Sequence, residues 1–241
     1  MSSYAVSSKP TDGFRYGGTP VSIADIGYKG NQTPLNYTGN THGGMCEVNG
    51  QWYIFYHRQT NKIKCSRQAC AEKLTILPDG SIPQVEVTSC GLNDGPLAGK
   101  GRYEARIACI LGAPCGMVKS DEVKKKDKKN LLPYFTQSGE DREENGGQYI
   151  ANLRHGAWCA FKHFAFDGTE SKVAVTVRGS TAGTLKVYTD RNLPPVAAIL
   201  VKPSEDWTAY SGKLELSAGT APLFFVYEGG GGIDFATLEI S

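Results

Sequence analysis

The chain has 241 residues, enough for one large core or two modest ones, and domains of about 100–150 residues are the commonest, so two domains are expected. With 26 Lys and Arg against 24 Asp and Glu the net charge is +2, which excludes the concentrated basic field of a nucleic-acid binder. No apolar run approaches the roughly 20 residues that cross a bilayer, and Met1 to Pro10 lack the charged start and apolar middle of a signal peptide, so no membrane partner is expected and the compartment stays open.

The 29 glycines, 12 prolines and 12 tyrosines, set among short β-rich runs, indicate an all-β protein. Residues 4–6 and 19–21 supply at most two strands, a ribbon that is only marginally stable alone. Cys46-Glu47-Val48, the turn Asn49-Gly50 and the apolar run Trp52-Tyr53-Ile54-Phe55-Tyr56 then signal a hairpin with a buried second strand. Further strands are expected at 63–71 and 84–88, on either side of Pro78-Asp79-Gly80. Four strands in roughly 45 residues make one propeller blade. The run from Lys119 to Lys129 is charged and poor in apolar residues, which reads as a solvated linker. Alternating strands resume at 157–166, 172–178, 184–189, 197–201, 213–216, 223–227 and 233–240, the pattern of an antiparallel sandwich of jelly-roll type. The expected division is a blade-like part at 1–112, a linker at 113–131 and a sandwich at 132–241.

Seven cysteines, at 46, 65, 70, 90, 109, 115 and 159, are an odd number without a CxxC pair, so buried free thiols are expected, with a Cys65–Cys70 disulfide left open. His42, beside two glycines, reads as a hydrogen-bonded loop residue. Arg58, at the end of the apolar strand, is positioned either to donate to sugar hydroxyls or to salt-bridge within its sheet. Glu47, Glu72 and Asp25 are the carboxylates nearest these motifs, but nothing in their spacing provides the shifted proton affinities and shared cleft of a catalytic pair. The run Gly229 to Gly232 precedes a strand and is a turn, because a phosphate loop joins a strand to a helix. Sugar binding needs an aromatic face against a C–H face, with polar groups at the rim. The candidates are Tyr149, Trp158, Trp207 and Tyr210, with Asn152 as polar partner, and Trp207 and Tyr210 lead because Asp206 and Thr208 place them near a loop.

Several runs carry a family resemblance: Tyr4-Ala5-Val6-Ser7, Tyr16-Gly17-Gly18, Asn40-Thr41-His42-Gly43-Gly44, the stretch from Gly50 to Arg58, and Ser66 to Glu72. They resemble the closing blades of glycoside hydrolase family 43, five-bladed propellers that include α-L-arabinofuranosidases and β-xylosidases. Glu140-Asp141-Arg142, Tyr149 to Asn152, Trp207, Tyr210 and Gly231-Gly232-Ile233-Asp234-Phe235 resemble a family 6 carbohydrate-binding module. The resemblance implies inverting hydrolysis by two aspartates and a glutamate, with base and acid about 6.5–9.5 Å apart to admit a water. By the family's blade order those acids precede a segment like Tyr4 to Ser7, so no catalytic residue is assigned here. It also implies calcium, near His42 at a propeller axis and at Gln137, Glu140 and Asp234 in the module. Gly232 departs from the module pattern, where a polar sugar contact is usual. The resulting expectation is a carbohydrate-binding C-terminal part of an arabinoxylan- or arabinan-active glycosidase, with xylan- or arabinan-type oligosaccharide as partner. An active glycosidase completed by further blades and a non-binding structural sandwich are the alternatives. Open propeller edges would favour a homo-oligomer.

Overall fold

The computed structural model describes residues 2–119, 122–123, 130–139 and 146–241. Strands β1 (Ser2–Val6) and β2 (Arg15–Val21) form an antiparallel ribbon, and β3 (Gly44–Val48), β4 (Gln51–Thr60) and β5 (Ile63–Leu74) form a three-stranded antiparallel meander. The expected hairpin is present because Asn49 and Gly50 both take positive φ, 51° and 79°, the primed turn that matches strand twist. Asn61 and Lys62, at φ 54° and 56°, repeat the device before β5.

The fourth strand expected at 84–88 does not form. Its backbone donors go elsewhere: Val85 N–H to Pro20 O, Val87 N–H to Asp25 Oδ1 and Thr88 N–H to Glu72 Oε1. With its donors satisfied by loop and side-chain acceptors, the segment is extended but outside any ladder. The first lobe is therefore a ribbon and a meander rather than a four-stranded blade.

The rest is a sandwich of two sheets. One runs β15 (Ser204–Lys213), β12 (Lys172–Gly179), β17 (Gly232–Ile240), β10 (Gln148–Arg154) and β9 (Tyr134–Gln137), with β7 (Gly101–Glu104) alongside β17. The other runs β14 (Ala197–Val201), β13 (Gly183–Tyr188), β16 (Gly219–Gly229) and β11 (Trp158–Phe166), and β8 (Ile110–Gly112) and β6 (Leu97–Ala98) pair with β11. Thus the sandwich begins at Leu97, earlier than the division expected at 112. Strands of two to four residues carry too little alternation to be read from sequence. The strand expected at 213–216 is displaced to β15, whose polar alternation reflects its position at the sheet edge. The segment expected as a solvated linker buries Ala113, Met117, Val118 and Val123, while residues 124–129 lie outside the described residues.

Between the sheets Phe161, Phe225 and Phe235 interlock with ring centroids 5.4–6.1 Å apart. A second cluster joins Val21, Ile54, Tyr56 and Leu74 of the first lobe to Ile110, Trp158 and Ala160 of the sandwich. Strand β11 is therefore buried on both faces, which explains why Trp158 to Phe161 reads as a continuous apolar run without alternation. All seven cysteines are free, and Cys46, Cys65 and Cys115 are exposed, which corrects the expectation that they are buried. Truncating Phe225 to alanine should cost about 3–5 kcal/mol in urea unfolding, whereas Leu200→Ala, 74% exposed, should stay within about 0.5 kcal/mol.

Candidate functional site

Alternation along the first sheet puts one row of side chains on its outer face. Val175, Val177, Ile233 and Phe235 point into the core, so Arg178 and Asp234 point outward. On β15, Tyr210 pairs with Val175 and faces inward, while Trp207, an odd number of residues away, faces outward and is 37% exposed. Tyr149, beside core-facing Ile150 on β10, joins it.

These groups form one cluster. The Trp207 and Tyr149 rings meet edge to face with centroids 5.2 Å apart. The Arg178 guanidinium lies 4.5 Å from the indole centroid and 5.0 Å from the phenol centroid. It donates to Tyr149 Oη at 3.0 Å and, through Nε and Nη2, to Asp234 Oδ2 at 3.1 and 3.0 Å. A sugar sandwiched between two rings needs centroids about 7–8 Å apart, twice an optimal carbon contact. The 5.2 Å spacing closes that slot, so the exposed indole is the platform. A cavity of about 120 Å3 beside it is lined by Glu104, Gln148, Tyr149, Trp207 and Thr237. Arg106 pairs with Glu104 Oε2, Gln68 donates to Gln148 Oε1 at 3.2 Å and Thr237 donates to Thr176 at 2.9 Å, so the groups left to meet sugar hydroxyls are Glu104 Oε1 and Gln148 Nε2.

Other expected site residues have different duties. The Tyr210 hydroxyl donates to Lys202 O at 3.0 Å and its ring packs on the core, so Tyr210 is not a platform. The Asn152 amide donates to Leu132 O at 3.0 Å and Asn130 O at 2.9 Å, and its Oδ1 accepts from Arg154 Nε at 2.8 Å. Asn152 thus secures the chain entering β9 instead of lining the cluster. A Cβ on Gly232 would stand 3.1 Å from Arg154 Cγ and 3.3 Å from Asn152 Oδ1, so that pair occupies the space of the polar residue that the resemblance leads one to expect.

Arg58 is buried, far from a sugar-facing position. Its Nε and Nη2 donate to Gln68 Oε1 at 2.9 and 2.7 Å, its Nη1 and Nη2 donate to the carbonyls of Ala108 and Arg106, and it stacks 3.6 Å from the Phe135 centroid. It is a strut between the lobes. Trp158 lies in the same interface.

Of the expected calcium contacts, His42 for the first lobe and Gln137, Glu140 and Asp234 for the sandwich, three lie among the described residues. His42 is exposed, edge to face with His57 at 4.7 Å and 3.4 Å from the Arg67 guanidinium, a cationic setting. Asp234 is held by Arg178, and its Oδ1 accepts from Asn152 N–H at 3.1 Å. Gln137 is on β9, two strands from β17, and Glu140 lies outside the described residues. Among the described residues no three His, Cys, Asp or Glu side chains gather as ligands, and no calcium-dependent step is derived.

The carboxylates near the first-lobe motifs build the joint. Lys162 Nζ, buried, bonds Asp25 Oδ2 at 3.2 Å and Glu86 Oε1 at 2.9 Å, and His163 Nε2 meets Glu86 Oε2 at 2.9 Å. Glu72 accepts from Tyr56 Oη, Thr88 N–H and Thr88 Oγ1 at 3.0, 2.7 and 2.6 Å. Burial pushes the Glu72 carboxyl up to about 7, against those hydrogen bonds. Burial would also raise Glu86, but His163 and Lys162 outweigh it and bring it down to about 2. Glu47 lies on exposed β3, apart from them. Sequence reasoning missed Arg178, although an arginine in step with the polar positions of Lys172 to Arg178 was the available signal.

Residues 135–240 match the family model described as carbohydrate binding module (family 6). A xylosidase/arabinosidase of Thermoclostridium stercorarium is 45% identical over 231 residues, 95% of this chain and 48% of that protein. An arabinoxylan arabinofuranohydrolase of Paenibacillus polymyxa is 22% identical over 98% of this chain and 35% of that protein. Among solved structures, a glycoside hydrolase family 43 arabinoxylan arabinofuranohydrolase from Bacillus subtilis superposes with a TM-score of 0.54 at 21% identity, covering 99% of this chain and 47% of that one. The chain spans half or less of the length of these relatives.

Between pH 4.5 and 7 the folded state holds the Glu72 proton more often than the unfolded chain, so this group's contribution to stability falls as pH rises through that window. Asp25, raised by burial, adds the same sign above its ordinary value of 3.8, and Glu86, lowered, contributes stability that is lost as pH falls from 4.5 toward 2. Glu72→Gln should therefore flatten the change in urea midpoint between pH 5 and 7, and an unchanged slope contradicts the assignment. From the module match and the near end-to-end likeness together, residues 135–240 are a family 6 carbohydrate-binding module, carried by a chain similar over nearly its whole length to about half of a xylosidase/arabinosidase.

Proposed function

We propose that this chain is the polysaccharide-holding part of an arabinoxylan- or arabinan-active glycosidase, and that it binds xylan- or arabinan-type chains on the outer sheet face around Trp207. The observation that carries this reading is the exposed indole held by Tyr149 and Arg178 beside a cavity with Glu104 and Gln148 at its rim. An immobilised ring loses little freedom when a sugar lies on it, so its apolar contact is available to binding. The B. subtilis relative was solved with cellotetraose, which agrees with an oligosaccharide as ligand class. In this reading hydrolysis belongs to acids outside this chain.

Strand β3, with all five residues exposed, is the open edge of the meander, and we read it as a pairing edge for a second copy. Sedimentation should then show a dimer that Met45→Lys or Val48→Lys dissociates, and a monomer at all concentrations removes this part.

Calorimetric titration of the chain with xylo- and arabino-oligosaccharides, with released sugar assayed in the same mixtures, tests the main reading. Heat without release is expected. Trp207→Ala should weaken binding at least about tenfold, the loss of one stacked ring, whereas Tyr210→Phe, which removes only the bond to Lys202 O, should leave it unchanged. Release of arabinose or xylose contradicts the assignment of catalysis elsewhere, and full affinity in Trp207→Ala contradicts the platform.

A further inference from the structure

A second cavity, of about 480 Å3, opens between the lobes on the other side of the sandwich. Its walls are Leu35 of the first lobe, Ile110, Trp158, Lys162 and Phe224 of the second sheet, and the loop of Asp190, Arg191 and Asn192. The volume falls in the range of about 300–1,000 Å3 usual for small-ligand sites, which gather at domain interfaces.

Arg191 sets its chemistry. Its guanidinium lies 3.7 Å from the Trp158 centroid and 5.9 Å from that of Phe224. Among the described residues its N–H donors have neither a hydrogen-bond acceptor nor an ion-pair partner. The adjacent acid, Asp190, binds Asn192 through Oδ1, which accepts its backbone and side-chain N–H groups at 2.9 and 3.0 Å, and its charge also acts on Arg191 without a hydrogen bond between the two. The ammonium of Lys162 in the wall is already held by Asp25 and Glu86. What the cavity leaves open is a planar fork of donors over aromatic carbon. That fork matches a carboxylate bidentately, and the Phe224 ring offers an apolar face for a sugar's C–H groups.

We propose that this cavity binds a carboxylate-bearing sugar, a hexuronic acid unit on a polysaccharide chain, with its carboxylate on Arg191 and its ring against Phe224. It is a site separate from the Trp207 platform, on the opposite sheet, and it makes the chain selective for acidic branches. Glucuronic acid carries the required planar anion, and a neutral pentose does not.

The probes are a xylo-oligosaccharide bearing one glucuronic acid branch and the same oligosaccharide without it, titrated against wild type, Arg191→Gln and Trp207→Ala. Wild type should bind the acidic probe roughly tenfold or more tighter than the neutral one, the contribution of a charge-assisted pair. Arg191→Gln should lose that preference and keep the neutral affinity, and Trp207→Ala should retain binding of the acidic probe while losing the neutral one. Equal affinities in wild type, or a preference that survives Arg191→Gln, overturn the proposal. Loss of neutral binding alone in Trp207→Ala bears only on the platform, so the two readings fail separately.

Discussion

The structure depends on one strand being buried twice. Strand β11 lends Phe161 and Phe164 to the sandwich core and Trp158 and Ala160 to the first lobe, so neither lobe has a complete core without it. A two-stranded ribbon and a three-stranded meander bury little apolar surface by themselves. Docking against the outer face of the second sheet provides the missing apolar partner. It also leaves the outer face of the first sheet open, where the Trp207 cluster lies.

Polar groups make the joint specific where apolar contact alone would allow sliding. Arg58 reaches from β4 to two carbonyls and an aromatic ring of the other lobe, and Lys162 reaches back to Asp25 and Glu86. Removing one partner of a buried ionic pair strands the other, at a typical cost of about 3–5 kcal/mol, so such contacts act as locks on geometry more than as sources of net stability. The same logic holds on the outer face, where Arg178 fixes the pose of Trp207 through Asp234 and Tyr149. Rigid presentation follows from packing and charge together.

The all-β class, the hairpin around Asn49-Gly50 and most sandwich strands were legible because they depend on local turn chemistry and alternation. The missing strand at 84–88 was illegible, since only the tertiary positions of Asp25 and Glu72 reveal acceptors for its backbone. Trp207 and Tyr149 could be found as aromatics, but the inward turn of Tyr210 required the register of β15 on β12. Arg58 and Asn152 looked like sugar contacts because a free guanidinium or amide suits hydroxyls, and sequence does not show that both are already engaged. Short strands β6 to β8 escaped because their partners lie far along the chain.

The three tryptophans stand in three different regions, with Trp52 in the meander, Trp158 in the joint and Trp207 on the outer face. Following their indole N–H resonances by NMR during titration with a neutral xylo-oligosaccharide therefore tests the central claim most directly. A shift confined to Trp207, saturating with ligand, is the result expected here. Saturable binding that leaves Trp207 in place and moves Trp52 or Trp158 instead would contradict it.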